Sequence, residues 1–60
     1  MKMDRQFTSI SELRRWLRMR SDECGSPEAY DEWLQALFDD GNTVTVQGEE
    51  YDYWSCWELL

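Results

Sequence analysis

Residues 9–41 read SISELRRWLRMRSDECGSPEAYDEWLQALFDDG, and the two serines at the head of its halves decide the fold. Ser9 stands three residues before Glu12, the capping-box spacing in which each side chain satisfies an amide left open by the first helical turn. Ile10, Leu13 and Leu17 follow at i, i+3 and i+7, so a first helix is expected from about Ile10 to Arg20. SDECGS then breaks the periodicity. Ser26 restarts it as a second N-cap, with Pro27 suited to the first helical position and Glu28 placed where the helix dipole favours an anion. Gly41 is the residue that can close this helix in the left-handed conformation, which sets its expected span at about Pro27 to Asp40.

Working outward, Met1, Met3, Arg5 and Phe7 alternate with Lys2, Asp4 and Gln6, a period of two that allows a short N-terminal strand. Beyond the helices, TVTVQ (43–47) is a β-branched run, Gln47-Gly48-Glu49 supplies a turn, and YDYWSCW (51–57) is aromatic and reads as strand. The expectation is an α+β fold over residues 1–60 as one domain. Two helices pack on one face of a small antiparallel sheet, built on a β-hairpin over 43–58 with room for a third, N-terminal strand.

A chain of 60 residues buries only about 60% of the surface its unfolded form exposes. Four Trp, three Tyr and two Phe are therefore needed partly as core. Cys24 and Cys56 would close a long loop if paired. No export signal is visible in MKMDRQFTS, so two free thiols are expected. No apolar run approaches the length of about 18 residues that spans a bilayer. A cytoplasmic monomer, with no membrane partner, is the resulting expectation.

Charge is segregated along the sequence. Lys2, Arg5, Arg14, Arg15, Arg18 and Arg20 are all the cations, and residues 21–60 contain none. That same stretch carries Asp22, Glu23, Glu28, Asp31, Glu32, Asp39, Asp40, Glu49, Glu50, Asp52 and Glu58, in a chain of net charge -7. Interleaved aromatic and aliphatic residues exclude a disordered acidic tail. A folded, dominantly negative surface follows, with Arg14, Arg15 and Arg18 expected to act as internal counter-charges.

On the second helix Tyr30, Trp33, Leu34 and Leu37 form the inward stripe. Glu28, Glu32, Gln35 and Asp39 form another, with Asp31 beside it, making an anionic ridge. Like charges at i, i+4 cost about 0.2 to 0.5 kcal/mol, and anions at a helix C-terminus, here Asp39 and Asp40, about 0.3 to 1 kcal/mol more. Solubility is the plain explanation; recognition of a basic surface is the sharper one. The candidate partner-binding residues are Glu28, Asp31, Glu32, Asp39 and Asp40, together with Glu49, Glu50 and Asp52 around the hairpin turn. Any of Tyr51, Tyr53, Trp54 and Trp57 left exposed would add an aromatic anchor.

Other chemistry is thinly represented. There is no His, so the usual general base and nitrogen ligand are missing. Two distant cysteines do not make a zinc site, and DDGNTVTVQGEE (39–50) does not fit the calcium-loop pattern. A non-enzyme without cofactor or metal is expected. Phosphates would be repelled by the dominant face, which excludes nucleic acid as its direct partner. Carboxylates on successive helical turns, about 5 to 6 Å apart along the axis, can instead imitate a phosphate backbone.

Two resemblances bear on this reading. Residues 9–41 are similar to the first two helices of the barstar family of ribonuclease inhibitors, through Pro27, Glu28, Tyr30, Leu34, Ala36, Leu37 and Asp39. Ala29, Gln35 and Phe38 depart from that pattern, as do Asp31 and Trp33. The resemblance implies an inhibitor of a small basic ribonuclease, with Asp39 in the plug. The second is a resemblance of character: a small, very acidic α+β chain looks like the phage-encoded anti-CRISPR proteins that act as DNA mimics. It implies a stoichiometric inhibitor, in the host cell of a phage or mobile element, that blocks the DNA-binding groove of a CRISPR effector. A structural or scaffold subunit is the alternative from another class.

Overall fold

In the computed structural model, which describes residues 3–60, the elements run β1 (Asp4–Phe7), α1 (Ile10–Cys24), α2 (Pro27–Asp39), β2 (Thr43–Val46), β3 (Glu49–Tyr51) and α3 (Tyr53–Glu58). The α+β class is as expected, with three helices in place of two. The N-terminal strand begins at Asp4; Met1 and Lys2 lie outside the described residues.

The caps work as their residue types dictate. The Ser9 hydroxyl accepts from the Glu12 amide at 3.2 Å, and Glu12 reaches back one residue further than the usual box, to the Thr8 amide at 2.9 Å. The Ser26 hydroxyl accepts from the Ala29 amide at 3.2 Å. Helix α1 runs four residues beyond its expected end, because Gly25 (φ 83°) donates to the Ser21 carbonyl and so terminates it. After α2, Gly41 (φ 87°) donates to Phe38, and Asn42 to Leu37. That pair of bonds is the Schellman arrangement, which needs a left-handed residue where Gly41 stands.

The sheet order is β1-β2-β3, with β2 in the centre. The hairpin pairs β2 with β3 antiparallel through Val44↔Tyr51, Thr45↔Glu50 and Val46↔Glu49. Its two-residue turn places Gln47 at φ 52° and Gly48 at φ 82°, the positive pair that a type I′ turn requires. Gln47 is an unusual residue for that conformation. Its amide donates to Phe7 at 3.2 Å and its side chain to Thr8 at 2.8 Å, bonds to the end of β1 that help offset the backbone cost.

Two expectations are corrected. The sheet is mixed rather than antiparallel, since β1 pairs with β2 in parallel from Asp4↔Thr43 to Phe7↔Val46. Two intervening helices return the chain in its original direction, and a parallel pair needs such a crossover. The expected second strand over 50–58 stops at Tyr51, and residues 53–58 are helical. Asp52 caps this helix by accepting from the Ser55 amide at 2.8 Å. Tyr53, Cys56 and Trp57 then turn inward at i, i+3 and i+4, whereas strand alternation would have placed Cys56 opposite Tyr53 and Trp57.

The core lies between the sheet and the helices. Leu13, Leu17, Tyr30, Leu34, Val44 and Cys56 are fully buried, and Val46 nearly so. Phe7, Trp16, Trp33, Leu37, Phe38, Tyr51, Tyr53 and Trp57 close over them. Aromatic edges carry much of this packing: Tyr30 and Trp57 meet at 4.9 Å in a T-shape, and Trp16 and Trp33 at 5.3 Å. Bulky rings therefore complete a core that so short a chain could not fill with aliphatic residues.

Both cysteines are unpaired; Cys56 is buried and Cys24 half-buried. Burial raises the Cys56 thiol to about 11, leaving it protonated at neutral pH. In native protein a thiol reagent is expected to modify Cys24 first, while Cys56 reacts only after urea unfolding. Mass spectrometry of the labelled peptides checks this, and equal native labelling would contradict the buried placement.

Candidate functional site

Helix α2 carries the acidic stripe because its apolar positions fall on one side. Tyr30 and Leu34 are fully buried and Trp33 and Leu37 half-buried, as their spacing requires. Glu28, Glu32, Gln35, Asp39 and Asp40 are exposed. Glu49 and Glu50 are exposed on β3, an edge strand, and so belong to a separate element.

Asp31 and Asp52 are not free in the way the sequence suggests. The Asp31 carboxylate accepts from the Tyr53 hydroxyl, from Gln35 Nε2 at 2.6 Å and from Trp57 Nε1 at 3.2 Å. It is the polar clamp that holds α3 against α2. Asp52 is committed to capping α3. Both carboxylates therefore have a positioning role inside the fold, Asp31 through Tyr53, Gln35 and Trp57, and the exposed Asp52 through its cap to Ser55.

The Tyr53 hydroxyl holds the Asp31 carboxyl below its ordinary value of 3.8, with Gln35 and Trp57 adding to the effect. A carboxyl with a depressed folded value contributes stability that is complete above the unfolded value and lost as pH falls through the folded one. Asp31→Ala is therefore expected to lower the urea midpoint at neutral pH by a margin that shrinks once pH drops below about 3.8. Circular dichroism across that range checks it. A margin unchanged through acid would mean that the ionised carboxylate is not what secures α3.

What strand reasoning could not show is the aromatic pair that α3 presents. Trp54 is 70% exposed, the most exposed of the large apolar side chains in the described residues. Its ring meets that of Tyr53 at 5.0 Å and 87°. Together with Gln35, Phe38 and Asp39, these two residues line a shallow cavity of about 390 Å³ between α2 and α3. The C-terminal part of the acidic stripe thus forms one wall of an aromatic groove. The one signal in the sequence is DYWS, an N-cap Asp three residues before the Ser whose amide it takes.

The arginines do not neutralise the stripe. Among the described residues the one ion pair is Arg20–Glu23 at 3.1 Å, within α1 itself. Arg14 Nε donates to the Leu59 carbonyl at 3.1 Å, and Arg5 lies over the Trp16 ring at 4.9 Å. Arg14, Arg15 and Arg18 line a separate depression with Ser11, Met19 and Asp22. All three sit on exposed positions of α1 and none forms an ion pair across the fold among the described residues, although Arg15 acts electrostatically on Glu12 of its own helix.

Among the described residues no three His, Cys, Asp or Glu side chains converge as they would around a metal ion, and no helix is long and apolar enough to cross a membrane. No family model, curated protein or solved structure matches this chain.

Proposed function

We propose that this chain is a stoichiometric protein inhibitor that docks its acidic α2 face in the nucleic-acid groove of a basic protein, a CRISPR surveillance complex being the expected target. The observation that carries the proposal is the unneutralised stripe of Glu28, Glu32, Asp39 and Asp40, exposed along one helix and its C-cap with no ion pair to any of them among the described residues. On the helix Glu28 and Glu32 stand one turn apart, about 6 Å along the axis, and Asp39 two turns further on, about 10 Å, with Asp40 beside it, a row of anions that suits a groove built for phosphates. A fixed anionic surface gains affinity and encounter rate from a positive groove without ordering a flexible segment. Inhibition by occupancy needs no catalytic group. CRISPR as the target rests on the likeness of character to small acidic anti-defence proteins, and the cytoplasm of a phage host is the compartment that goes with it.

The test is competition. Titrated into a purified surveillance complex bound to labelled duplex DNA, the protein is expected to displace the DNA at near-equimolar amounts. The displacement should weaken as salt rises, because exposed charges are screened within about 8 Å at physiological ionic strength. DNA that stays bound at saturating protein would overturn the CRISPR assignment. Tight inhibition of a small basic ribonuclease in a parallel assay would assign the acidic face to the barstar-like alternative instead.

A further inference from the structure

The groove between α2 and α3 has a shape and chemistry that a phosphate mimic alone does not require. We infer that it is a binding site for one arginine side chain of the basic partner, stacked on Trp54 with its guanidinium directed to Asp39. The inference rests on the reading of α2 as the docking face and specifies what anchors it.

Three observations converge. First, Trp54 is 70% exposed in a chain that otherwise keeps its aromatic surface for the core. Second, that ring rests against a neighbour that is itself anchored. Asp31 accepts from the Tyr53 hydroxyl, and Tyr53 presents its ring to Trp54 at 5.0 Å and 87°, so a fixed carboxylate positions an exposed indole through one intervening residue. A preset aromatic face loses little freedom on binding. Third, the rest of the lining is two-sided: Phe38 supplies more apolar wall, while Asp39 and Gln35 supply acceptors at its edge.

A cation is the complementary occupant, and arginine fits better than lysine. A planar guanidinium stacks on an indole face while its edge offers a fork of donors to a carboxylate; an ammonium is a hydrated point charge that must choose between them. An apolar side chain would cover the ring yet leave Asp39 and Gln35 to be desolvated without a partner. The cavity, at about 390 Å³, is open enough to admit a side chain from a facing surface.

The test uses a short arginine-glycine peptide and its lysine-glycine counterpart, titrated into the isotopically labelled full chain and followed by the indole NMR signals. The arginine peptide is expected to move the Trp54 signal and leave Trp57, tied to Asp31, nearly still. Trp54→Ala, which removes an exposed side chain and should fold, is expected to weaken that peptide about 3- to 30-fold. Tyr53→Phe keeps the ring but frees it from Asp31, and should lose part of the same affinity with a broadened Trp54 signal.

Equal binding of the two peptides, or arginine-peptide binding that Trp54→Ala leaves unchanged, would overturn the groove site. If that binding still moved the amides of Glu28 and Glu32, the acidic-face reading would stand without it. No response of either peptide anywhere on α2 would remove both.

Discussion

Replacing Leu17 or Leu34 by alanine is expected to leave most of the chain unfolded at 37 °C. Both side chains are fully buried, one on each of the helices that pack together over the sheet. Removing three carbon atoms at such a position costs about 2 to 5 kcal/mol, the lost transfer energy plus the void left behind. A single core in a chain of this size rarely supplies more than about 3 to 5 kcal/mol in total, so one truncation is of the same order as the whole margin. A half-exposed control, Met19→Ala, should stay within about 0.5 kcal/mol of the parent. Urea titration by circular dichroism separates the cases. A Leu17→Ala protein that still unfolds cooperatively near the parental urea midpoint would show that the aromatic shell, rather than the aliphatic centre, carries the stability.

The second large effect divides stability from binding. The double variant Glu32→Lys, Asp40→Lys avoids the groove residues and reverses two exposed charges of the stripe. In the helix, Glu28 would then have a cation at i+4 in place of an anion, and a cation would likewise replace an anion at the C-terminal end. Together these changes should stabilise the fold by about 0.5 to 1.5 kcal/mol. In the partner's groove the same changes turn two attractions into repulsions. At about 2 kcal/mol each, they should reduce affinity by roughly 10²- to 10³-fold. Melting temperature and competition with DNA, measured on one preparation, check both halves. A variant that gains stability and keeps full affinity would reduce the stripe to a solubilising surface.

The parts of the fold legible in the sequence are those set by local chemistry. Ser9, Ser26 and Gly41 each fix a helix boundary through one or two hydrogen bonds to near neighbours, and their residue types announce it. Sequence and structure part where the outcome depends on distant partners. Nothing in Asp4–Phe7 states a direction; its parallel pairing is decided by the two-helix crossover. Tyr53–Glu58 is rich in residues of strand propensity, yet burial of Tyr53, Cys56 and Trp57 against α2 and the core, with Asp52 capping, prevails over propensity. The site divides on the same ground. Charge sequence locates the stripe, but only the third helix reveals that Asp31 is already occupied and that Trp54 stands beside Asp39.

The parallel pairing of β1 with β2 also orders events during synthesis. The Thr43 hydroxyl donates to Asp4, 39 positions earlier in the chain, with both helices lying between. β1 therefore leaves the ribosome first among the elements and has no partner until β2 follows it. Closure of a loop that long precedes any reward from the contact, which makes such strand pairing a late and comparatively slow step. The helices, capped by their own neighbours, can form while β1 waits. Its Asp4 and Arg5 keep that waiting strand charged, a guard against pairing with another nascent chain.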